Sequence, residues 1–358
     1  MLYCYDPAAN AENWLHDGLV VLVAKMLDGV EAPLADWTAA FPEEKRETMS
    51  RKRGLKDRLD AAESAVAATT PVKRSLLRQW LSDQNNIPSL FDPAVAVTVR
   101  PAGCAKVIKK LDEVFAFGFK LLTALGVRDR QYEIVWRSMP ARVCPFCGIE
   151  PMTSPNPAIP REALDHYLAS SLYPLAATNL RNLAPAGPKC NESHKLRKDV
   201  LNGADGRRVC YDPFGNLNAS VSLERSVPNA GALQGAIRLP EWHIDLLGDP
   251  DRTATWNDVY DIESRYRHNI LDAEFRRWMD HFAQWFSRSY GTLTADTPLV
   301  RVLQEYMETS IEEGLADYSF LRRAVFAMLM HRIATQPDGP EVAAWIKLLV
   351  SPDAGAIG

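Results

Sequence analysis

Apolar residues recur at helical spacing towards both ends of the chain and lose that spacing in the middle. Trp14, Leu15, Leu19, Leu22, Val23 and Met26 predict a helix over 11–29. A charged, alanine-rich helix follows over 43–68, with Pro42 at its start and Thr69-Thr70-Pro71 at its end. Residues 71–83 read as another helix, stopped by Asn85-Asn86 and Pro88, and β-branched alternation over 94–100 predicts a strand. A strong helical pattern occupies 103–125 and ends at Gly126. Helical spacing returns over 254–264, 270–289, 297–313, 317–335 and 340–349. Trp256, Val259, Tyr260 and Ile262 lead into Trp278, Phe282, Trp285 and Phe286, an aromatic stripe read as a packing face.

Residues 143–220 differ. They hold nine prolines, with glycines at 148, 187, 203, 206 and 215, and this punctuation excludes long helices. So loop-rich a stretch needs something besides a large core to fix it, and a metal ion is the natural staple. The whole chain has 358 residues, 47% of them hydrophobic and 24% charged, which excludes wholesale disorder and predicts two or three packed units. The longest apolar run, Leu19 to Leu27, is broken by Lys25 and is far short of the roughly 20 residues of a membrane span. No basic, signal-like segment opens the sequence. The expectation is a cytoplasmic protein without a membrane partner, whose six cysteines are metal ligands or buried thiols. Cys4 and Cys104 fall in the second group.

Net charge is −4, which taken alone argues against a nucleic-acid partner, but it divides into −7 over residues 221–358 and +3 before them. Residues 45–80 carry 10 Lys/Arg against 4 Asp/Glu, densest at Arg51-Lys52-Arg53 with Lys56 and Arg58. Such a helix either touches phosphate or is a solvated face laced with Glu47, Asp57, Asp60 and Glu63.

Four short motifs carry the chemistry. Cys144-Pro145-Phe146-Cys147-Gly148 is a knuckle: two thiolates two residues apart, turned by glycine, point at one ion roughly 2.3 Å away. The redox reading of such a pair needs a helix at the first cysteine, and Pro151, Pro155 and Pro157 argue against one. Leu164-Asp165-His166-Tyr167-Leu168 sets an acid beside an imidazole on a β-capable segment. Asn179-Leu180-Arg181-Asn182-Leu183 follows, and then Pro188-Lys189-Cys190-Asn191, with His194 and Lys195 beyond it.

In that order and within residues 144–195 the motifs resemble those of the HNH, or ββα-metal, nucleases. The resemblance covers roughly residues 140–200. It implies a small ββα-metal finger (141–220); with the helical spacing and charge of the flanks, the expectation is an α+β, mostly α protein in which that finger is embedded between an N-terminal helical region with basic faces (1–140) and an acidic C-terminal one (221–358). The strands would be Leu164 to Leu168 and Leu183 to Ala186, and the helix would run from Cys190 to Lys198. Carried over by position, Asp165 and Asn191 hold the catalytic Mg²⁺ or Mn²⁺, His166 is the general base, and Asn182 orients it by bridging the finger loop. Neutral imidazole is available at pH 7 to take a proton from water. A divalent ion on hard oxygen donors offsets the charge that develops on the leaving oxygen.

Many zinc-containing members carry a second Cys-x2-Cys, but this chain has Cys190 with Gly187 where the other thiolate would stand. Structural Zn²⁺ on Cys144, Cys147 and Cys190 then needs a fourth ligand. His194 lies four residues on, one α-helical turn away, and Cys210 is its rival. Lys189, Lys195, Arg197 and Lys198 cluster at the helix and are expected on DNA phosphates. The flanks, including Trp256 and Arg265-Tyr266-Arg267, look like nuclease subunits of bacterial anti-phage defence systems, in which an HNH subunit accompanies an ATPase. That resemblance implies a defence-system protein as partner. The alternatives are a zinc-stapled nucleic-acid-binding or scaffolding module that does not cut, and a nuclease acting on RNA.

Overall fold

The computed structural model describes residues 1–97, 99–156, 158, 164–234, 237–291 and 298–350. The fold is α+β and mostly α, with a few short antiparallel strand pairs. Among the described residues, no helix is long and apolar enough to cross a membrane. The described residues divide into two compact units, one formed by 1, 3–146 and 150–217, the other by 2, 147–149 and those from 218 to 350.

The first unit opens with α1 (Trp14–Leu27), whose Leu15, Leu19, Leu22 and Val23 are fully buried, as their spacing requires. The helix expected over 43–68 is two, α2 (Glu43–Ser50) and α3 (Arg53–Ala67), because the backbone at Lys52 leaves helical geometry (φ −86°, ψ 61°). α4 (Pro71–Asn85) starts with Pro71 at its first position and the Thr70 hydroxyl accepting from the Lys73 N–H at 3.5 Å. α5 (Ile87–Leu90) is a single turn. The strand expected at 94–100 does not form; its described residues are turn and coil, and Thr98 lies outside the described residues.

α6 (Ala105–Ala124) buries Val107, Ile108, Leu111, Val114, Phe115, Leu121 and Leu122. It ends at Gly126 (φ 67°), where the left-handed backbone costs glycine little, and α7 (Val127–Ser138) begins at once. α6 passes close to its neighbours at Gly118. A Cβ there would stand 2.7 Å from the Leu19 Cδ1 of α1 and 2.8 Å from the Thr178 Cγ2 of the loop that carries the candidate site.

That loop joins two short strands. β1 (Leu164–His166) pairs antiparallel with β2 (Leu183–Pro185) in the register Leu164–Pro185, Asp165–Ala184 and His166–Leu183. A helical segment follows over Cys190–Lys195. The two strands and the helical segment stand in the chain order expected of the finger, each shorter than expected. The segment is a wide π-type turn, with the Leu196 N–H on the Asn191 carbonyl five residues back. It stops at Leu196, whose φ of 50° ends the helix.

In the second unit, α8 (Pro250–Tyr260) is capped by Asp249, whose Oδ1 accepts from the Arg252 N–H at 3.0 Å. It ends at Asp261 (φ 55°) and leads through α9 (Ile262–Arg265) to α10 (Asp272–Ser289). α11 (Leu299–Ser310), α12 (Ser319–Thr335) and α13 (Gly339–Leu349) follow; position 297, the expected start of α11, lies outside the described residues. The aromatic stripe is core. The Tyr306 ring lies 5.1 Å from that of Phe282 and 4.8 Å from that of Phe326, pairs worth about 0.5–1.5 kcal/mol each beyond their buried area.

Candidate metal centre and catalytic finger

The knuckle is a tight hairpin. The Cys144 N–H donates to the Glu150 carbonyl at 2.8 Å and the Met152 N–H to the Arg142 carbonyl at 2.9 Å. Gly148 sits at the turn with φ 66°. Sulfur accepts backbone hydrogen bonds as an anionic ligand would. The Ile149 N–H lies 3.4 Å from Cys147 Sγ and the Gly187 N–H 3.3 Å from Cys144 Sγ.

Cys144, Cys147, Cys190 and Glu150 are all buried, and their ligand atoms lie within 4.8 Å of one another. Three thiolates and a carboxylate fit a four-coordinate metal site. The residue that stands with the three thiols is Glu150, and neither His194 nor Cys210 belongs to the group. His194, half-buried four positions after Cys190, is not part of that group of ligand atoms. Cys210 is buried beside the Tyr167 hydroxyl instead. The absent thiolate at 187 also has a physical account. A Cβ on Gly187 would stand 2.7 Å from both Cδ and Oε2 of Glu150, so the carboxylate fills the space that a side chain would need. Glu150 further accepts the Lys189 N–H at 2.7 Å and the Cys190 N–H at 3.0 Å, tying the knuckle to the start of the helical segment.

On the hairpin, Asp165 and His166 take the last two positions of β1. Adjacent strand residues face opposite ways, and the two side chains do meet different surroundings. Asp165 is buried. Lys195 Nζ donates to its Oδ1 at 3.2 Å and to the His166 carbonyl at 2.8 Å, while Oδ2, 3.0 Å from the same ammonium, takes no hydrogen bond. Burial pushes the Asp165 carboxyl up, and the charge of Lys195 opposes that rise.

Lys195 was expected on phosphate. It is instead 0% exposed, because Asp165 draws the ammonium inward. Lys189, Arg197 and Lys198 are exposed.

His166 Nε2 lies 2.9 Å from the Ala177 carbonyl, which accepts its proton and leaves Nδ1 as the basic nitrogen. Burial lowers its pKa to about 4; the Ala177 hydrogen bond raises it, and Lys195 and Arg128 lower it further. Phe119 of α6 covers the imidazole, ring centroids 4.4 Å apart, and the Arg128 guanidinium stacks over Phe119 at 4.5 Å. Asn182, fully buried, spans the loop: Nδ2 donates to the carbonyls of Leu168 (3.0 Å) and Ala176 (3.3 Å), and Oδ1 accepts the Leu168 N–H at 2.7 Å. It thereby fixes the peptide next to the carbonyl that orients His166. Asn191 is half-buried beside Cys190. Asp165 and Asn191 are hard oxygen donors of the kind Mg²⁺ and Mn²⁺ take, and the unbonded Oδ2 fits a cation, but Lys195 shares that carboxylate.

Glu150, Phe119 and Arg128 were not singled out by sequence reasoning. Glu150, three residues past the second knuckle cysteine, carried a usable signal; the other two come from distant helices and carried none. Comparison with family models, with curated proteins and with solved structures finds no match to this chain.

Proposed function

We propose that the chain is a nuclease whose finger hydrolyses DNA phosphodiester bonds, with His166 as general base and Zn²⁺ held by Cys144, Cys147, Cys190 and Glu150. The observation that carries this reading is the chain of contacts from Asn182 through the 168–177 loop to the Ala177 carbonyl and His166 Nε2. It holds the imidazole neutral at pH 7 with its proton on Nε2, so that Nδ1 is the nitrogen that can accept a proton. Asp165 and Asn191 would hold Mg²⁺ or Mn²⁺, which when bound supplies positive charge against the leaving oxygen. Lys189, Arg197 and Lys198 offer exposed cations to phosphates and read no base. Zinc is the metal that suits three sulfurs and one oxygen, and its role is to close the knuckle onto the helical segment. A defence-system partner such as an ATPase belongs to this reading as the source of activation.

The test is nicking of supercoiled plasmid by the full chain with Mg²⁺ or Mn²⁺, with and without EDTA, alongside a structured RNA. Wild type is expected to nick DNA, and His166→Ala to lose at least about a hundredfold, the lower range of general-base catalysis. Equal rates for the two proteins under every condition, genomic-neighbour proteins included, overturn the reading. The Lys195–Asp165 ion pair and the Phe119 cover favour a second reading, a zinc-stapled module that binds nucleic acid without cutting. Binding of DNA that is unaffected by His166→Ala, without any nicking, is its signature. Faster cleavage of RNA than of DNA reassigns the substrate.

A further inference from the structure

Within the second unit, α10, the turn before α12 and the start of α12 line an open cleft of about 440 Å³, formed by Arg277, Trp278, His281, Asp317, Tyr318 and Arg322. That volume lies within the range of small-molecule sites. The chemistry of its walls is uneven. Arg277 is ion-paired with Glu274 on its own helix. Arg322 has no carboxylate partner among the described residues. Its guanidinium meets only neutral acceptors, donating Nη2–H to the Tyr306 hydroxyl and lying 2.9 Å from His281 Nδ1. Its Nε is buried and takes no hydrogen bond. A partly buried guanidinium without an anion is costly, and the usual compensation is an oxyanion that takes its fork of N–H groups. His281 Nδ1 is occupied by the Arg322 and Tyr306 contacts, so the neutral ring presents Nε2–H as a further donor.

The opposite wall is strained. Asp317 (φ 49°) and Tyr318 (φ 58°) are consecutive left-handed residues, neither of them glycine, at a cost of about 1–2 kcal/mol each. Both line the cleft. Asp317 forms no ion pair with Arg322 among the described residues, so its carboxylate remains an acceptor for hydroxyl groups. Tyr318 and the edge of Trp278 offer aromatic surface.

We propose that this cleft binds a phosphate monoester on a hydroxyl-bearing carrier, with the phosphate on Arg322 and His281 and a carrier hydroxyl on Asp317. This site is separate from the finger and does not depend on the nuclease reading. Isothermal titration of the full-length, zinc-loaded protein tests it with three probes: AMP, ribose 5-phosphate and inorganic phosphate. AMP and ribose 5-phosphate are expected to bind with Kd below about 1 mM, and inorganic phosphate at least about tenfold more weakly. Arg322→Gln is expected to weaken both phosphate esters by about tenfold or more, the scale of one charge-assisted pair. Asp317→Asn should narrow the gap between ribose 5-phosphate and inorganic phosphate. Arg322→Gln also removes a contact with Tyr306, so His281→Ala, at an exposed position, is the second variant, with an expected severalfold loss. No saturable binding of any probe up to about 10 mM, or binding unchanged in both the Arg322 and the His281 variant, overturns the proposal. Equal affinity for inorganic phosphate and the two esters overturns it as well, because the carrier would then make no contact.

Discussion

Single residues decide the metal centre. Glu150 lies where a side chain at position 187 would have to go, so the two positions are coupled. Glu150→Ala is expected to lower zinc affinity by at least about tenfold, and Gly187→Cys alone to fold poorly, since its Cβ would stand 2.7 Å from the carboxylate. The double variant Glu150→Ala/Gly187→Cys is expected to recover a full equivalent of zinc with four thiolates. Competition with a chromophoric chelator measures the affinities, and the cobalt-substituted protein reports the thiolate count through its charge-transfer band. If Glu150→Ala binds zinc as tightly as wild type, Glu150 is not a ligand. Lys195 is the other decisive residue. Lys195→Met strands the Asp165 carboxylate in the interior, and the cost of breaking a buried pair is about 3–5 kcal/mol. Asp165→Asn/Lys195→Met should recover most of that loss in urea unfolding. If Lys195→Met costs nothing, the ammonium is not the partner that Asp165 depends on.

At this scale the sequence was most legible where chemistry is local. Cys144 and Cys147 declare themselves by spacing, and the Asp165-His166 and Cys190-Asn191 pairs by adjacency. What was not legible depends on burial and on tertiary proximity. Lys195 looks like any basic residue after a helix start until its ammonium is found inside. His194 looks like the fourth ligand from its spacing to Cys190, but the group of ligand atoms around the three thiols includes Glu150 and not His194.

Elements carry the next layer, because the finger is held by helices remote in sequence. α6 meets the finger at Gly118 and supplies Phe119 to His166, while α1 supplies His16, whose Nδ1 lies 2.9 Å from the Thr178 hydroxyl. Periodicity revealed the buried faces of α1 and α6 but not what they face, since the pattern marks a stripe and not its partner. Gly118→Val is expected to cost about 1–3 kcal/mol, the range for overpacking, because Leu19 and Thr178 would have to give way. His16 makes the same contact visible by pH. Burial lowers its pKa from 6.5 to about 3, so the folded state keeps it neutral while the unfolded chain takes a proton below pH 6.5. The unfolded state then binds more protons, and stability falls as pH drops from about 6.5 towards 3, by up to about 1.4 kcal/mol per pH unit for this one group. Above pH 6.5 the group contributes no slope. In His16→Gln the slope between pH 6 and 4 should be shallower by one proton in chemical denaturation. An unchanged slope means that His16 is not kept neutral on folding.

For the whole molecule, charge sets how DNA would be held under the nuclease reading. The −7 of residues 221–358 opposes broad electrostatic wrapping, and the +3 elsewhere is spread over many residues. Burial of Lys195 leaves Lys189, Arg197 and Lys198 as the exposed cations of residues 188–198. Three phosphate contacts predict that log K falls with log salt at a slope of about −3, at 0.9 per contact on duplex DNA. His166→Ala, which under that reading would bind without cutting, is the protein in which to measure it, by fluorescence anisotropy of a labelled duplex across the salt series. Lys189→Gln, Arg197→Gln and Lys198→Gln should each reduce the slope by about one, whereas Lys195→Met should leave it unchanged, since its ammonium lies on Asp165. A slope near −8 or steeper would place the DNA on a larger surface, and the basic residues of α3 and its approach, among them Arg51, Arg53 and Lys56, would be the first to test. The slope thus separates the two readings of that helix left open by composition alone, a phosphate-binding face or a solvated one.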